Sequence, residues 1–390
     1  MGREGILIKM TQEDFNQKIK GQQNGLQINF KNCDLSGLDL SGRKFEGVNF
    51  EDCNLSGVNF SDTTIKQGEF KNGVLIGGNF EKADLSAVDF TGCAMQKVNL
   101  SHVRIEGVGI KESNLAHASF KSANVEFSEF NIFKDVNLSD ADLSGSKISW
   151  FHGEKVNFRN ANFNNVSIIE SQMKDCKFTN ASLENADLYS VIFTDCEMQE
   201  SVLAKAKIAN VTFEKTTLEN ADFKQAEIEY GRFADSNLDG VDFRAVTLSS
   251  LNEFRNVSLI AADFSEATFS DESKLYNVNA VDVKGLDLSP WQTSIKEEGN
   301  GAALQQDKES LAMQEYQYRL NLFVASNAGS EVNADVDCKI AQAMLGQGYS
   351  SQSIQSVIAL YSPKALKVSK QAEVYAMNVV KKAEKESTRR

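Results

Sequence analysis

Cysteine and histidine are the residues of this chain best suited to metal binding or thiol chemistry. The sequence contains six cysteines and three histidines, the latter at His102, His117 and His152. Zinc and haem sites usually need closely spaced pairs such as Cys-x-x-Cys, and no two cysteines here have that spacing. A thiol nucleophile would also need a partner base, which the sequence does not indicate. We therefore expect no metal, no cofactor and no catalytic site, and predict that the protein is not an enzyme.

The net charge limits the kinds of partner that the protein is expected to bind. The 390 residues carry a formal charge of -13 at pH 7, with 54 acidic and 41 basic side chains. A general nucleic-acid-binding protein needs an excess of lysine and arginine on one face, so direct binding of DNA or RNA is not expected. No apolar run is long enough to span a bilayer, and the first residues do not resemble a signal peptide. We expect a cytoplasmic bacterial protein, with secretion into a host cell as the alternative.

The strongest pattern in the sequence is an apolar residue at every fifth position. It begins at Phe30 and runs without exception to Phe130. The pattern then slips by three positions, fails at Gly153 and continues to Leu248. A further slip near Asn252 precedes a less regular stretch. This period is neither that of a helix nor that of a flat strand, and it indicates a repeat protein.

Two of every five residues in the repeat are predicted to point inward. The residue two positions before each large apolar residue is small or slim, and the intervening and following residues are polar turn-formers. Each unit then forms one side of a square coil, and four units complete a coil that stacks on the next. Side chains one coil apart would form ladders, such as Phe30, Phe50, Phe70 and Phe90. Five cysteines fall on the small inward position and are predicted to be buried packing residues: Cys33, Cys53, Cys93, Cys176 and Cys196.

The repeat resembles a known family. Ala83-Asp84-Leu85, Ala141-Asp142-Leu143 and Ala186-Asp187-Leu188 follow the A-[D/N]-L-x-x pattern of the pentapeptide-repeat family. The resemblance covers about two thirds of the chain and implies a mainly β fold, a right-handed quadrilateral β-helix. It also implies a class of partner, because some members of that family bind DNA gyrase or topoisomerase IV by imitating the shape and charge of duplex DNA.

The composition divides the chain into a cap, a β-helix, a linker and a helical domain. These segments are predicted at residues 1–25, 26–290, 291–301 and 302–390. Thr11 and Asp14 have the spacing of a helix capping box, which favours a short cap helix. The two prolines, Pro290 and Pro363, lie outside the repeat, where proline would remove ladder hydrogen bonds. Pro290 marks the predicted domain boundary, and Pro363 opens a basic C-terminal helix.

One irregularity suggests a contact site. Phe151 stands where a small inward residue is expected, and Gly153 stands where a large one is expected. The exchange predicts a bulge, which is either a tolerated packing defect or an aromatic contact that presents Trp150 and Phe151 to a partner. The slips near Asn131 and Asn252 are predicted to be kinks or insertions of one coil.

The acidic residues are concentrated on the repeat. Residues 26–290 carry a formal charge of -15, of which -11 belongs to residues 131–290. A rod of about thirteen coils would be roughly 60 Å long, over which duplex DNA carries about 35 phosphates. The net charge is less than half of that value, so imitation of DNA requires the acids to gather on one face. The densest acidic cluster in the sequence is Glu184, Asp187, Asp195, Glu197 and Glu200.

These observations favour a noncatalytic interaction protein. The favoured hypothesis is a DNA mimic that binds a type II topoisomerase, DNA gyrase or topoisomerase IV, and protects or inhibits it. The alternative is a scaffold or effector protein in which the rod is a spacer and the C-terminal helical domain binds the partner. The sequence leaves open whether the chain forms a homodimer.

Overall fold

A computed structural model describes residues 7–20, 28–126, 132–270, 273–286, 334–346, 351, 354–355, 358–359 and 372–387. The chain forms two compact units, Met1–Lys296 and Glu297–Arg390. The predicted linker 291–301, both prolines and residues 302–333 of the predicted helical domain lie outside the described residues.

The first unit is a four-sided parallel β-helix. Phe30 pairs with Phe50 and Phe50 with Phe70, so four five-residue units make one coil. We number the sides 1 to 4 in chain order, beginning with the units centred on Phe30, Leu35, Leu40 and Phe45. Sides 1 and 4 form continuous sheets, whereas sides 2 and 3 are joined by single bridges between successive coils. The predicted square coil is confirmed.

The described strands belong to three parallel sheets. Side 1 has thirteen strands: Ile28–Lys31, Val48–Glu51, Glu69–Lys71, Asp89–Thr91, Gly109–Lys111, Ile132–Lys134, His152–Glu154, Gln172–Lys174, Ile192–Thr194, Thr212–Glu214, Arg232–Ala234, Glu253–Arg255 and Lys274–Tyr276. Side 4 has twelve: Lys44–Glu46, Thr64–Lys66, Asp84–Ser86, Arg104–Glu106, Asn124–Glu126, Lys147–Ser149, Ser167–Ile169, Asp187–Tyr189, Lys207–Ala209, Glu227–Glu229, Thr247–Ser249 and Thr268–Phe269. The third sheet pairs Ile8–Lys9 with Cys33–Asp34.

The corners explain the polar residues of the repeat. The second residue after each large apolar one takes a positive φ, for example 52° at Asn32 and 70° at Gly37. Asparagine, aspartate and glycine adopt this left-handed conformation at the lowest cost. The polar residue before the large one also has a structural role, since Asp34 Oδ1 accepts the backbone N–H of Ser36 at 3.1 Å and the Nδ2 of Asn54 at 3.0 Å. These side chains form the turn and join one coil to the next.

Phenylalanine ladders fill the interior. The rings of Phe30 and Phe50 stack with centroids 5.1 Å apart, and Phe70 lies 5.0 Å from Phe50 and 4.7 Å from Phe90. All four rings are buried. Stacking at these distances adds to the stabilisation from apolar burial, and it confirms the predicted ladder.

A helix closes the N-terminal end of this column. Helix α1 spans Gln12–Lys20, and its Phe15 is fully buried and stacks on Phe30 at 5.0 Å. Thr11 Oγ1 accepts the backbone N–H of Asp14 at 3.1 Å, and Asp14 Oδ2 accepts that of Thr11 at 2.9 Å. This is a capping box with aspartate in the third position. Residues 1–6 and 21–25 of the predicted cap lie outside the described residues.

Both slips lengthen a coil and do not insert one. At the first slip, Ile110 pairs with Phe133 and Asn124 with Lys147, so this coil is three residues longer than the coils before it. At the second slip, Phe233 pairs with Phe254, so that coil is longer by a single residue. The prediction of inserted coils is wrong, because the backbone pairing continues on all four sides.

The second unit contains a separate helical core. Helix α2 spans Ala334–Gly346 and helix α3 spans Ala372–Ser387. They pack around a small set of buried side chains: Cys338, Ile340, Ala341, Met344, Ile354, Ile358, Ala376, Val379, Val380 and Ala383. Of the helices in the described part of the chain, none is long and apolar enough to cross a membrane.

Candidate protein-binding surfaces

The exchange of Phe151 and Gly153 is a packing arrangement inside the core. Phe151 is 4% exposed, and a Cβ placed on Gly153 would lie 2.7 Å from the Phe151 ring. The ring therefore occupies the space that the missing side chain of Gly153 leaves. Gly153 pairs in register with Phe133 in the preceding coil and Met173 in the following one, so the predicted bulge is absent from this ladder. The interpretation of Phe151 as a surface contact is wrong, because its side chain is buried.

Trp150 lies on the outer surface, at the corner between sides 4 and 1. It is half-buried, has a φ of 56°, and its Nε1 donates a 2.7 Å hydrogen bond to Glu170 Oε2 in the next coil. Part of its side chain packs against the hydrophobic core. Because its side chain is only half-buried, Trp150 remains a candidate contact residue, whereas the buried Phe151 does not.

The five predicted carboxylates do not form one surface. Glu184 follows Leu183 on side 3, where its Oε1 lies 3.0 Å from Lys205 Nζ, and Asp187 begins a strand of side 4. Asp195, Glu197 and Glu200 lie together on side 2 and its two corners. The coil thus separates residues that are close in sequence, and only three of the five share a face.

Side 2 carries an acidic patch that the density of acidic residues along the sequence does not reveal. Stacking adds three further carboxylates from the two following coils to those of the first. We define the acidic patch as Asp195, Glu197, Glu200, Glu219, Asp235 and Asp239. Between Asp195 and Gly240, Lys215 is the one basic residue among the outward positions of this side. The signal for the missed residues was already in the repeat, because Asp235 follows Asp195 by two coils, and Glu219 and Asp239 are one coil apart.

The charge density of the acidic patch is comparable with that of DNA. Its six carboxylates belong to three coils, which span about 10 Å at the usual strand spacing of about 4.8 Å. Duplex DNA carries about six phosphates over the same length, at one per about 1.7 Å. With Lys215 included, the net charge of this part of side 2 is -5, which is close to the DNA value, whereas the charge of the whole rod falls well below it.

The carboxylates of the acidic patch differ in their partners. Glu197 lies 3.0 Å from Arg159 and 3.1 Å from Lys177. Partial burial alone would raise the pKa of Glu197, but hydrogen bonds and charge from Lys177 and Arg159 outweigh it and lower the pKa below its ordinary value. Within the described part of the chain, Asp195 and Glu200 have no ion-pair partner and are exposed. These two offer the most accessible negative charge.

Metal and thiol chemistry find no support among the described residues. No group of three or more cysteine, histidine or acidic side chains there is arranged to hold a metal ion. All six cysteines are free and buried, and burial raises the pKa of Cys53 and of Cys93 to about 11. A thiol with so high a pKa is a poor nucleophile at neutral pH.

The geometry defines a class, the four-sided β-helices built from five-residue repeats. A model of the pentapeptide repeat region matches residues 27–99 and 150–223, and a second model, of eight pentapeptide repeats, matches residues 206–245. The repeat region of this chain belongs to the pentapeptide-repeat family. No curated protein sequence matches the chain at a significant level.

Solved structures of other pentapeptide-repeat proteins are similar at low identity. A trypsin-treated form of QnrB1, a plasmid-mediated fluoroquinolone resistance protein, is 18% identical, with 45% of this chain and 84% of that chain covered and a TM-score of 0.27. HetL, involved in heterocyst differentiation regulation in the cyanobacterium Nostoc, is 16% identical, with 66% and 94% covered and a TM-score of 0.23. A protein from the Arabidopsis thaliana thylakoid lumen is 26% identical, with 39% and 69% covered and a TM-score of 0.15.

Proposed function

We propose that the β-helix binds a type II topoisomerase without catalysing a reaction, and that the acidic patch of side 2 takes the place of duplex DNA on the enzyme. The observation that carries the proposal is the local charge density, six carboxylates over about 10 Å, comparable with the phosphates of DNA. Binding of DNA gyrase by some members of the family supports the choice of partner. The rigid stacking of coils supports it too, because the backbone that carries the carboxylates needs no ordering on binding.

The partner surface that fits this patch is basic and normally occupied by DNA. Asp195, Glu200 and Asp235 are exposed at corners, where they can approach lysine and arginine side chains of the enzyme. Complementary charge of this kind accelerates encounter and weakens as salt increases. Bound protein would therefore compete with DNA, and we expect it either to inhibit the enzyme or to protect it from a drug that traps the enzyme on DNA.

A matched pair of variants tests the role of the patch. The patch variant combines Asp195→Lys, Glu200→Lys and Asp235→Lys, since lysine already occupies equivalent corners at Lys97, Lys155 and Lys215. Its control combines Glu184→Lys, Asp187→Lys and Glu227→Lys, which reverses the same number of charges on sides 3 and 4.

Binding to immobilised DNA gyrase is measured for the full chain and both variants at two salt concentrations. We expect the patch variant to raise the Kd at least tenfold and the control to change it by less than threefold. Equal loss in both variants would show that only net charge matters, and no binding of the unaltered chain at tens of micromolar would refute the proposal.

The second candidate assigns binding to the C-terminal unit. It is favoured by one observation, that this unit has its own core and exposes Lys381, Lys382 and Lys385 on α3. Residues 1–290 and residues 291–390 are compared in the same assay. Binding retained by residues 291–390 alone would make the rod a spacer, and binding retained by residues 1–290 alone would place the contact on the rod.

A further inference from the structure

Aromatic and aliphatic side chains, exposed or half-exposed, lie along a corner that the acidic patch does not use. We define the aromatic corner as Trp150, Ile169, Tyr189, Ile192 and Tyr230, on side 4, side 1 and the corner between them. Ile169 and Tyr189 are direct partners in adjacent strands, and Ile192 begins the neighbouring strand of side 1. Tyr189 is 50% exposed, Tyr230 52% and Ile169 37%. The aromatic corner is therefore accessible to a partner.

Stability of the coil does not explain the two exposed tyrosines, Tyr189 and Tyr230, whereas Trp150 packs in part against the core. Trp150 and Tyr230 have φ values of 56° and 52°, at a corner where the intervening coils also place smaller polar residues such as Ser190 and Asn210. Bulky side chains are disfavoured in the left-handed region, whereas asparagine is tolerated there. Tryptophan and tyrosine, by contrast, are enriched at protein interfaces, where they bury a large area at a low entropic cost.

Two carboxylates determine what kind of partner fits. Glu170 Oε2 accepts the Trp150 indole N–H at 2.7 Å, and Glu229 Oε1 accepts the Ser250 hydroxyl at 3.0 Å. Neither lies within ion-pair distance of a lysine or arginine in the part of the chain that the structure describes. If two copies met through this corner about a two-fold axis, these carboxylates would add like-charge repulsion, which disfavours a second copy as the occupant.

We infer that the aromatic corner is a second interaction surface, which docks a protein segment carrying basic side chains on both sides of an apolar anchor. The apolar anchor packs on Tyr189, Ile192 and Tyr230, and the basic side chains reach Glu170 and Glu229. These two carboxylates are three coils apart, or about 14 Å at the usual strand spacing. An extended chain covers that distance in about four residues, so the fitting motif has arginine or lysine at positions one and five with the anchor between them.

The probe is a fluorescein-labelled nine-residue peptide with the core Arg-Ser-Leu-Ser-Arg, titrated with the full chain by fluorescence anisotropy. Two control peptides replace both arginines by glutamate or the leucine by serine. We expect binding of the first peptide only. Tyr189→Thr combined with Tyr230→Asn should raise its Kd at least tenfold, because the anchor loses its contact surface. Glu170→Gln combined with Glu229→Gln should raise the Kd at least fivefold and remove most of its dependence on salt.

Two matched variants keep the test specific. Val74→Thr with Ile76→Thr removes exposed aliphatic side chains from side 2, and Asp195→Asn with Asp235→Asn removes charge from the acidic patch. Both should leave the peptide Kd within twofold of the unaltered chain. Circular dichroism and thermal unfolding confirm that each variant is folded, and Tyr189→Phe with Tyr230→Phe should retain binding.

Several results would overturn the inference. The first is that the arginine peptide does not bind at 1 mM, about the weakest useful affinity. The second is that the glutamate peptide binds equally well, and the third is that the aromatic variant leaves the Kd unchanged. A concentration-dependent dimer in sedimentation that the aromatic variant abolishes would assign the corner to a second copy. The inference is independent of the proposed topoisomerase binding, since the acidic-patch variants should lose the enzyme and keep the peptide.

Discussion

At the scale of single residues, the five cysteines of the repeat satisfy one backbone requirement. All five occupy the small inward position at the corner between sides 1 and 2. Cys53 Sγ lies 3.4 Å from the carbonyl oxygen of Phe30, and Cys93 Sγ lies 3.2 Å from that of Phe70. Ser236 occupies the same position two coils after Cys196, and its hydroxyl donates to the carbonyl of Phe213 at 3.2 Å. The position therefore accepts a small side chain, and where that side chain has a donor, as in cysteine and serine, it bonds to a backbone carbonyl.

Replacement of two of these thiols by serine should change how stability depends on pH. Burial raises the pKa of Cys53 and Cys93 from 9.0 to about 11. Because the folded-state pKa is the higher one, the associated stabilisation is complete below pH 9 and is lost as pH rises from 9 to 11. By linkage, each thiol accounts for up to about 3 kcal/mol of that loss. Urea unfolding should show a smaller decline over this interval for Cys53→Ser with Cys93→Ser, and an identical decline would contradict the assignment.

Asn252 supports the lengthened coil at the second slip. It is fully buried, its Oδ1 accepts the backbone N–H of Gly231 at 2.8 Å, and its Nδ2 donates to the carbonyl of Ser249 at 2.8 Å. Asn252→Ala would leave the buried N–H of Gly231 without a partner, so it should lower the free energy of unfolding by about 1 to 3 kcal/mol. Asn124→Ala, on an exposed strand position, is the control and should change it by less than about 0.5 kcal/mol. Similar values for both would show that Asn252 is dispensable.

At the scale of elements, the strands around Phe151 allow a test of whether neighbouring side chains of the core fit together in shape. Phe151 and Gly153 share one space, and a small cavity lined by apolar residues including Phe151, Ile148 and Met173 adjoins it. Gly153→Phe alone should cost about 2 kcal/mol or more through overpacking, and Phe151→Val alone a similar amount through an enlarged cavity. The double variant restores the ordinary pattern of the repeat.

Chemical unfolding of the two single variants and the double variant provides the measurement. The double variant should be more stable than the sum of the single losses predicts, by at least about 1 kcal/mol. Simple additivity would mean that the two positions do not share space.

The sequence predicts the elements better than it predicts the surfaces. The five-residue period determines which residues point inward, so the four-unit coil and the Phe30 to Phe90 ladder follow from it directly. The cap helix follows from Thr11 and Asp14. The exchange at Phe151 could not be interpreted from the pattern alone, because a missing side chain at Gly153 is equally consistent with a bulge and with a neighbouring ring that fills the gap.

At the scale of the whole molecule, charge must be counted along the stack and not along the chain. Glu184 and Asp187 are close to Asp195 in sequence but lie on other sides of the coil, whereas Asp235 is two coils away and lies on the same corner. The four-unit coil places these positions together even though no local window contains them. The acidic patch is therefore a property of the fold that the repeat period makes predictable once it is applied to the outward residues.

The most direct test of the central claim is gyrase supercoiling of plasmid DNA in the presence of the full chain, with and without a fluoroquinolone. We expect inhibition of supercoiling or protection from the drug by the unaltered chain and by the control with Glu184, Asp187 and Glu227 reversed. The variant with Asp195, Glu200 and Asp235 reversed should need at least ten times more protein for the same effect. No effect of the unaltered chain at tens of micromolar, or equal potency of all three proteins, would contradict topoisomerase binding through the acidic patch.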